Sequence, residues 1–200
     1  MTEAAIRQAA IELIGKKGFD AITLRGLAAR AGVNASTLYL YYKGKQDLLA
    51  TILHDYYEDL LETWLNNKPV DASAKNSWAA LVTGHVTHHL LNPQQICLGG
   101  VEQHIINDPA FREALTIRED YIFEIERVIR QGVSDGSFFC PDIEKYANIL
   151  FGVMTVSEAW YLDTKTNSQN DVICKYLELT LKILEVPAPD VTQLIITSPS

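Results

Sequence analysis

Apolar residues recur at helical spacing from the first turn of the chain. Ile6, Ala10, Leu13 and Ile14 fall at i, i+4, i+7 and i+8, which predicts an amphipathic helix from Thr2 to about Lys17. Lys16 and Lys17 suit the negative end of its dipole, and Gly18 supplies a C-terminal stop. Thr23 is a capping residue for a second helix whose stripe is Leu24, Leu27, Ala28 and Ala31, ended by Gly32. Two residues later Asn34 caps a third, short helix, roughly Ala35 to Tyr42, with Leu38 and Tyr42 one turn apart on its inner side. A helix, a glycine-containing turn and a short helix make a helix-turn-helix.

After residue 50 the pattern is helices separated by punctuation at NNKPVDAS, LNPQQ, GVSDGSFFCP and DTKTNSQN, then a proline-containing tail from Pro187. Asp108 and Pro109 open a helix with Phe111, Leu115, Ile122, Ile125 and Ile129 along one face. Only LIITS near the end resembles a strand. The pattern predicts an all-α protein: an amino-terminal three-helix domain over residues 1–46, a larger helical domain over 47–186, and a tail over 187–200.

Composition changes this picture little. The chain has 200 residues and is 48% apolar, enough for a core. Cys97, Cys140 and Cys174 are odd in number and contain no CxxC, which fits a reducing compartment. The amino terminus lacks the apolar run of a signal peptide, and no stretch of about 18 apolar residues exists, so a cytoplasmic protein outside the membrane is expected.

Charge changes it more. The net charge is -8, yet residues 1–50 hold seven basic and four acidic side chains, a local +3 that leaves -11 for the remainder. A basic head on an acidic body suits a DNA reader with a separate sensory or assembly domain. The third helix has the matching chemistry. Asn34, Ala35 and Ser36 lead it, Thr37 and Tyr39 lie on the outward side, and Tyr41 and Lys45 stand where a phosphate backbone would pass.

The segment GKKGFDAITLRGLAARAGVNASTLYLYYKGKQDLL, within about residues 6–53, resembles the DNA-binding domain of the TetR family of bacterial transcription regulators. The shared features are a KGF end to the first helix, Thr23 spaced to Leu27-Ala28 and Ala31-Gly32-Val33, and a third helix with Leu38-Tyr39 and Lys45. Gly26, Leu40 and Gly44 depart from the family's usual residues. The resemblance implies base contacts from Ala35, Ser36, Thr37 and Tyr39, beside Asn34, and phosphate contacts from Thr23, Arg25, Tyr41 and Lys45. It further implies a homodimer on a near-palindromic operator in double-stranded DNA. The small organic effector would sit in the helical body, with Tyr57, Trp78, His88, His104, Phe123 and Trp160 as wall residues, and repression would be relieved when it binds.

No Ser-His-Asp motif, phosphate loop or HExxH occurs, and no cofactor is implied, so binding rather than catalysis is expected. His85, His88 and His89 fall at i, i+3 and i+4, with Cys97, Glu102 and His104 downstream; they either hold a metal, line a polar cavity or face solvent. No metal is assigned, and a metal-responsive regulator or an activator stays as the alternative. Two wide apolar faces, Ile143, Ala147, Leu150, Met154 and Tyr161 in one stretch and Ile173, Leu177, Thr180 and Leu184 in the next, serve either a second subunit or the chain's own core.

Overall fold

The computed structural model describes residues 3–100, 108–155 and 168–185. Glu102, His104, Trp160, Tyr161, LIITS and the tail therefore lie outside the described residues. Within them the chain is helical and no strand occurs: α1 Glu3–Lys17, α2 Leu24–Ala31, α3 Ala35–Tyr41, α4 Lys45–Asn67, α5 Ala74–Leu91, α6 Arg112–Ser134, α7 Ile143–Thr155 and α8 Gln169–Ile183. Short 3-10 segments span Pro93–Gly100 and Pro109–Phe111. By contact the chain divides into a first unit of residues 1–58 with 94–118, and a second of 59–93 with 119–200.

In the first unit the helix ends are set locally. The Thr23 hydroxyl accepts from the Gly26 N–H at 3.1 Å, and Gly26 keeps that cap open because a Cβ there would come within 3.2 Å of the Thr23 oxygen. Gly32 closes α2 with φ 67, a left-handed conformation that a branched residue would hold only under strain. Ile6, Ala10 and Ile14 of α1 are buried as their spacing predicts; Ala9 and Ile11 join them, while Leu13 is half-buried. α1 packs on α2, and α2 on α3.

Seven residues are too few for α3 to be stable alone. Leu38, with no exposed surface, and Tyr42, 2% exposed, hold it down. The Tyr42 hydroxyl donates to the Glu3 carboxylate of α1 at 3.0 Å, and Arg7 donates to the same carboxylate at 3.0 Å while also pairing with Asp55 of α4. Burial, and next the hydrogen bond to Glu3, push the Tyr42 phenol up to about 12, so it stays a donor at any physiological pH. Three helices thus meet at one polar clamp.

In the second unit α5 is nearly surrounded: Trp78, Ala79, Leu81, Val82 and Val86 are buried, and α5 packs on α7 and α8. The Trp78 indole N–H donates to the Thr180 hydroxyl of α8 at 3.0 Å, and its ring meets Phe138 edge-on at 6.3 Å. Phe138 in turn lies where a Cβ on Gly132 would stand, 2.1 Å from its ring, so only glycine permits that turn after α6 to fold back. Ile122, Ile125 and Ile129 of α6 are buried here; in the first unit Asp108 caps the Pro109 segment by accepting from the Ala110 N–H at 3.0 Å, Phe111 is buried and Leu115 is half-buried. Ala147, Leu150 and Met154 of α7 and Ile173, Leu177, Thr180 and Leu184 in or beside α8 are buried within their own chain. Those faces make this core; the apolar residues exposed on α7 and α8 are Ile149 and Leu179.

Burial gives opposite expectations for two neighbours on α3. Leu38→Ala should cost about 2–5 kcal/mol in urea unfolding, as for other buried leucines, whereas Leu40→Ala, at an 84% exposed site, should shift stability by no more than about 0.5 kcal/mol. Equal losses would mean that α3 is seated on a different face.

Candidate functional site

Around α3 each residue advances 100°, so Ser36 and Leu40 both lie about 200° from Leu38 and occupy the outermost line of the helix. Ser36 and Tyr39 are exposed, and Ala35 and Thr37 are half-buried. Asn34 stands at the N-cap with extended backbone, is exposed, and makes no capping hydrogen bond through its side chain. Its amide therefore projects a donor and an acceptor from the leading end of the helix. That end joins small and polar side chains with no bulky group to hold it off a base-pair edge.

The flanks carry donors. Thr23 uses its oxygen as a cap acceptor and keeps its own O–H to give; Arg25 is exposed, and Tyr41 is 46% exposed. Lys45 in the first turn of α4 lies 4.5 Å from the Phe19 ring centre and 3.5 Å from the Asp20 carbonyl oxygen, which fixes its ammonium beside the helix start. Not every basic residue of the head belongs to this face. Arg7 is committed to the clamp, and Arg30 pairs with Glu12 at 2.7 Å.

Four of the residues expected to wall an effector pocket lie among the described residues. Tyr57, in the first unit, is fully buried with its ring 5.0 Å from that of Tyr56. Trp78 is core in the second unit, and His88 is buried with its ring edge-on to His89 at 5.6 Å. Phe123 is 57% exposed on α6. A cavity of about 20 Å³ does lie in the second unit, lined chiefly by Leu60, Trp64, Leu81, Gly84, His85 and Tyr121. A Cβ on Gly84 would meet nothing within 4 Å. A glycine inside a helix was the sequence signal for this space, since it costs helix stability relative to alanine.

His85 organises the polar side of that cavity. Thr155 gives its hydroxyl proton to the Phe151 carbonyl at 2.9 Å, so its oxygen can only accept from His85 Nε2–H at 3.3 Å. The other ring nitrogen, Nδ1, then accepts from the Tyr121 hydroxyl at 2.9 Å. His89 stacks on His85 at 4.6 Å and donates from Nδ1 to the His85 carbonyl at 2.9 Å. Burial holds the His85 imidazole well below its ordinary range, and burial likewise lowers His89 to about 4. Of the three readings of this histidine cluster, the polar cavity lining describes His85: hydroxyls take both of its nitrogens, so they do not turn toward a shared metal centre. Cys97 Sγ instead contacts the Gln94 and Ile11 carbonyls of the first unit at 3.2 and 3.7 Å.

Trp64 is fixed beside the same cavity. Its indole N–H donates to Glu124 at 2.8 Å, and Lys68 and Arg127 reach that carboxylate at 3.3 and 2.7 Å. Burial would raise the Glu124 carboxyl, but the bonds from Arg127, Trp64 and Lys68 prevail and lower it. Among the described residues, His54, Asp55 and Glu58 bring three ligand-type atoms within 4.8 Å of one another, with Asp55 already the partner of Arg7. No described helix is long and apolar enough to cross a membrane.

Residues 6–52 match the family model for bacterial regulatory proteins of the tetR family, and residues 71–184 match that for the tetracyclin repressor-like C-terminal domain. The HTH-type transcriptional repressor KstR2 of Rhodococcus jostii strain RHA1 is 23% identical over 180 residues, 89% of this chain and 88% of that protein. A bacterial regulatory protein of the tetR family from Rhodococcus RHA1 has a similar structure, with TM-score 0.81 and 27% identity over 92% of this chain and 98% of that one. FadR from Bacillus subtilis, solved in complex with stearoyl-CoA, gives TM-score 0.71 at 20% identity over 90% and 98% of the two chains.

The lowered histidines set a pH window. Between about pH 6.5, the ordinary value for histidine, and about pH 4 the unfolded chain protonates His89 while the folded chain does not. Stability is therefore complete above the unfolded value and falls as pH drops toward 4, with a slope approaching about 1.4 kcal/mol per pH unit for each such group. Urea midpoints measured from about pH 7 to about pH 4.5 should show this fall, and His89→Gln should reduce it; the same slope in parent and variant would contradict the assignment.

Proposed function

The chain belongs to the TetR family of bacterial regulatory proteins, and from that membership we propose that it is a sequence-specific transcriptional repressor whose operator contacts come from Thr23, Arg25, Asn34, Ala35, Ser36, Thr37, Tyr39, Tyr41 and Lys45. The observation that carries the assignment is the division of labour on α3. Leu38 and Tyr42 secure one face, and the opposite face, exposed and free of structural duty, carries short and hydrogen-bonding groups at its leading end. Positioning on phosphates falls to the flanking donors, and sequence reading to the helix.

One such helix gives modest affinity. A homodimer on a near-palindromic site doubles the contacts, and the exposed Ile149 and Leu179 on α7 and α8 are apolar groups a second subunit would cover. The protein works in the cytoplasm, with the DNA, and it binds its small molecule rather than converting it.

The effector reading rests on the second unit. The cavity faces Leu60, Leu81 and the neutral His85–Tyr121 pair, so it favours an uncharged, largely apolar portion of a ligand. A cavity of about 20 Å³ holds little as it stands, so entry of such a group must displace its walls. Leu60 and Trp64 stand on α4, the helix that begins at Lys45. Wall displacement thus acts on the element bearing a proposed phosphate contact. That FadR from Bacillus subtilis was solved with stearoyl-CoA makes long-chain acyl thioesters the first ligands to try.

The test begins with duplexes enriched from a random library by the full-length protein. Binding should weaken with salt, and Lys45→Ala should lower the slope of log K against log salt by roughly one unit at every sequence. Stearoyl-CoA, or another acyl thioester from a panel, should raise the operator Kd about 5- to 150-fold, a coupling typical of allosteric proteins. A parent that enriches no duplex, or a Lys45→Ala protein with the parent's salt slope, would overturn the assignment of the interface.

A further inference from the structure

Leu40 is the most exposed large apolar residue of α3, at 84%, and lies between Tyr39 at 57% and Tyr41 at 46%. Folding does not account for it. Leu38, two residues earlier, takes the buried position with no exposed surface, and Leu40 points about 200° away from it, in line with Ser36 one turn before. A leucine has neither donor nor acceptor, so it forms no hydrogen bond to a phosphate or to a base edge. Left in water beside DNA it contributes nothing, and seated against a polar base edge it would strip hydration without replacing it.

Given the DNA-reading assignment above, on which this inference rests, we propose that Leu40 is a specificity-determining residue that selects thymine by packing its branched end on the 5-methyl group. In the major groove the four base pairs present hydrogen-bonding groups at almost every point of their edges; the thymine methyl is the apolar exception. Placement favours the base over the sugar. Ser36 and Leu40 share the outermost line of the helix, the one that faces the groove floor when Leu38 faces the protein, whereas Tyr41 lies about 60° from Leu38 on the flank. Tyr39 and Tyr41 stand on either side of Leu40 and help to exclude water from the contact. The operator should accordingly carry a thymine in each half-site at the position under the carboxyl-terminal turn of α3.

The experiment uses the full chain and the duplexes it enriches from a random library. Each thymine is replaced singly by deoxyuridine, which removes the methyl and leaves every hydrogen bond, and affinity is measured by fluorescence anisotropy at one fixed salt concentration for the parent and for Leu40→Ala. At one position per half-site the parent should lose about fourfold, the effect of exposing one buried methyl. Leu40→Ala should bind the thymine duplex more weakly than the parent and should not distinguish thymine from deoxyuridine at that position, so the two changes couple in a double-mutant cycle. Because Leu40 is 84% exposed in the folded head, a matching urea midpoint for Leu40→Ala separates lost contact from lost structure. Indifference of the parent to every deoxyuridine overturns the inference. So does an equal loss for Leu40→Ala on all duplexes with the parent's methyl sensitivity retained, the result for a leucine resting on deoxyribose. Failure to enrich any duplex would overturn the DNA-reading assignment itself, and this inference with it.

Discussion

The clamp formed by Tyr42, Glu3, Arg7 and Asp55 is the constraint on which the head depends. A helix of seven residues has little stability of its own, and here one buried leucine and one buried tyrosine anchor it to the rest of the unit. The tyrosine brings a hydroxyl that has to be satisfied, and Glu3 accepts it. Glu3 in turn needs a cation, and Arg7 supplies one while also reaching Asp55. One short network therefore joins α1, α3 and α4. With the inner face so occupied, the outer face of α3 carries no folding role, which is the condition for its side chains to serve recognition alone.

The same network links α4 to α3 through Arg7 and Glu3 of α1, because Asp55 belongs to α4. Lys45 opens that helix, and Leu60 and Trp64, which line the cavity of the second unit, lie near its other end. A ligand shifts such a system only through a difference in its affinity for two conformations. The polar chain from Thr155 through His85 to Tyr121 is the part of the second unit suited to discriminate them, since its bonds have a fixed direction. A neutral His85 keeps the chain insensitive to ordinary pH changes and leaves it responsive to packing.

Much of the head was legible in the sequence because its signals are local. Gly18 and Gly32, the Thr23 cap and the Leu38–Tyr42 spacing each act within one helical turn, and the family resemblance rests on those same positions. The second unit was less legible. α5 is covered on most sides and buries Ser77 and three histidines along with its apolar residues, so periodicity alone identified no sensor face. The apolar faces of α7 and α8 had two possible partners in sequence, and their burial against α5 and each other is a tertiary fact. His85 finds its hydrogen-bond partners 36 and 70 residues away, at Tyr121 and Thr155, beyond any motif spacing. Phe123 had the character of a wall residue, but its phase on α6 turns it to solvent, opposite Ile125 and Ile129.

The central claim is that the DNA-reading face exists before DNA arrives, because the clamp and Leu38 fold α3 in the free protein. Amide hydrogen exchange on the free chain tests this most directly. The account predicts that the amides of Leu38 and Tyr42, bonded to the carbonyls of Asn34 and Leu38, exchange as slowly as those of α1 and α2, through opening of the unit as a whole. Their protection should collapse together with that of α1 when urea unfolds the unit. Exchange of the α3 amides at the rate of an unstructured peptide, with α1 and α2 still protected, would contradict it and would make α3 a segment that folds only on its operator.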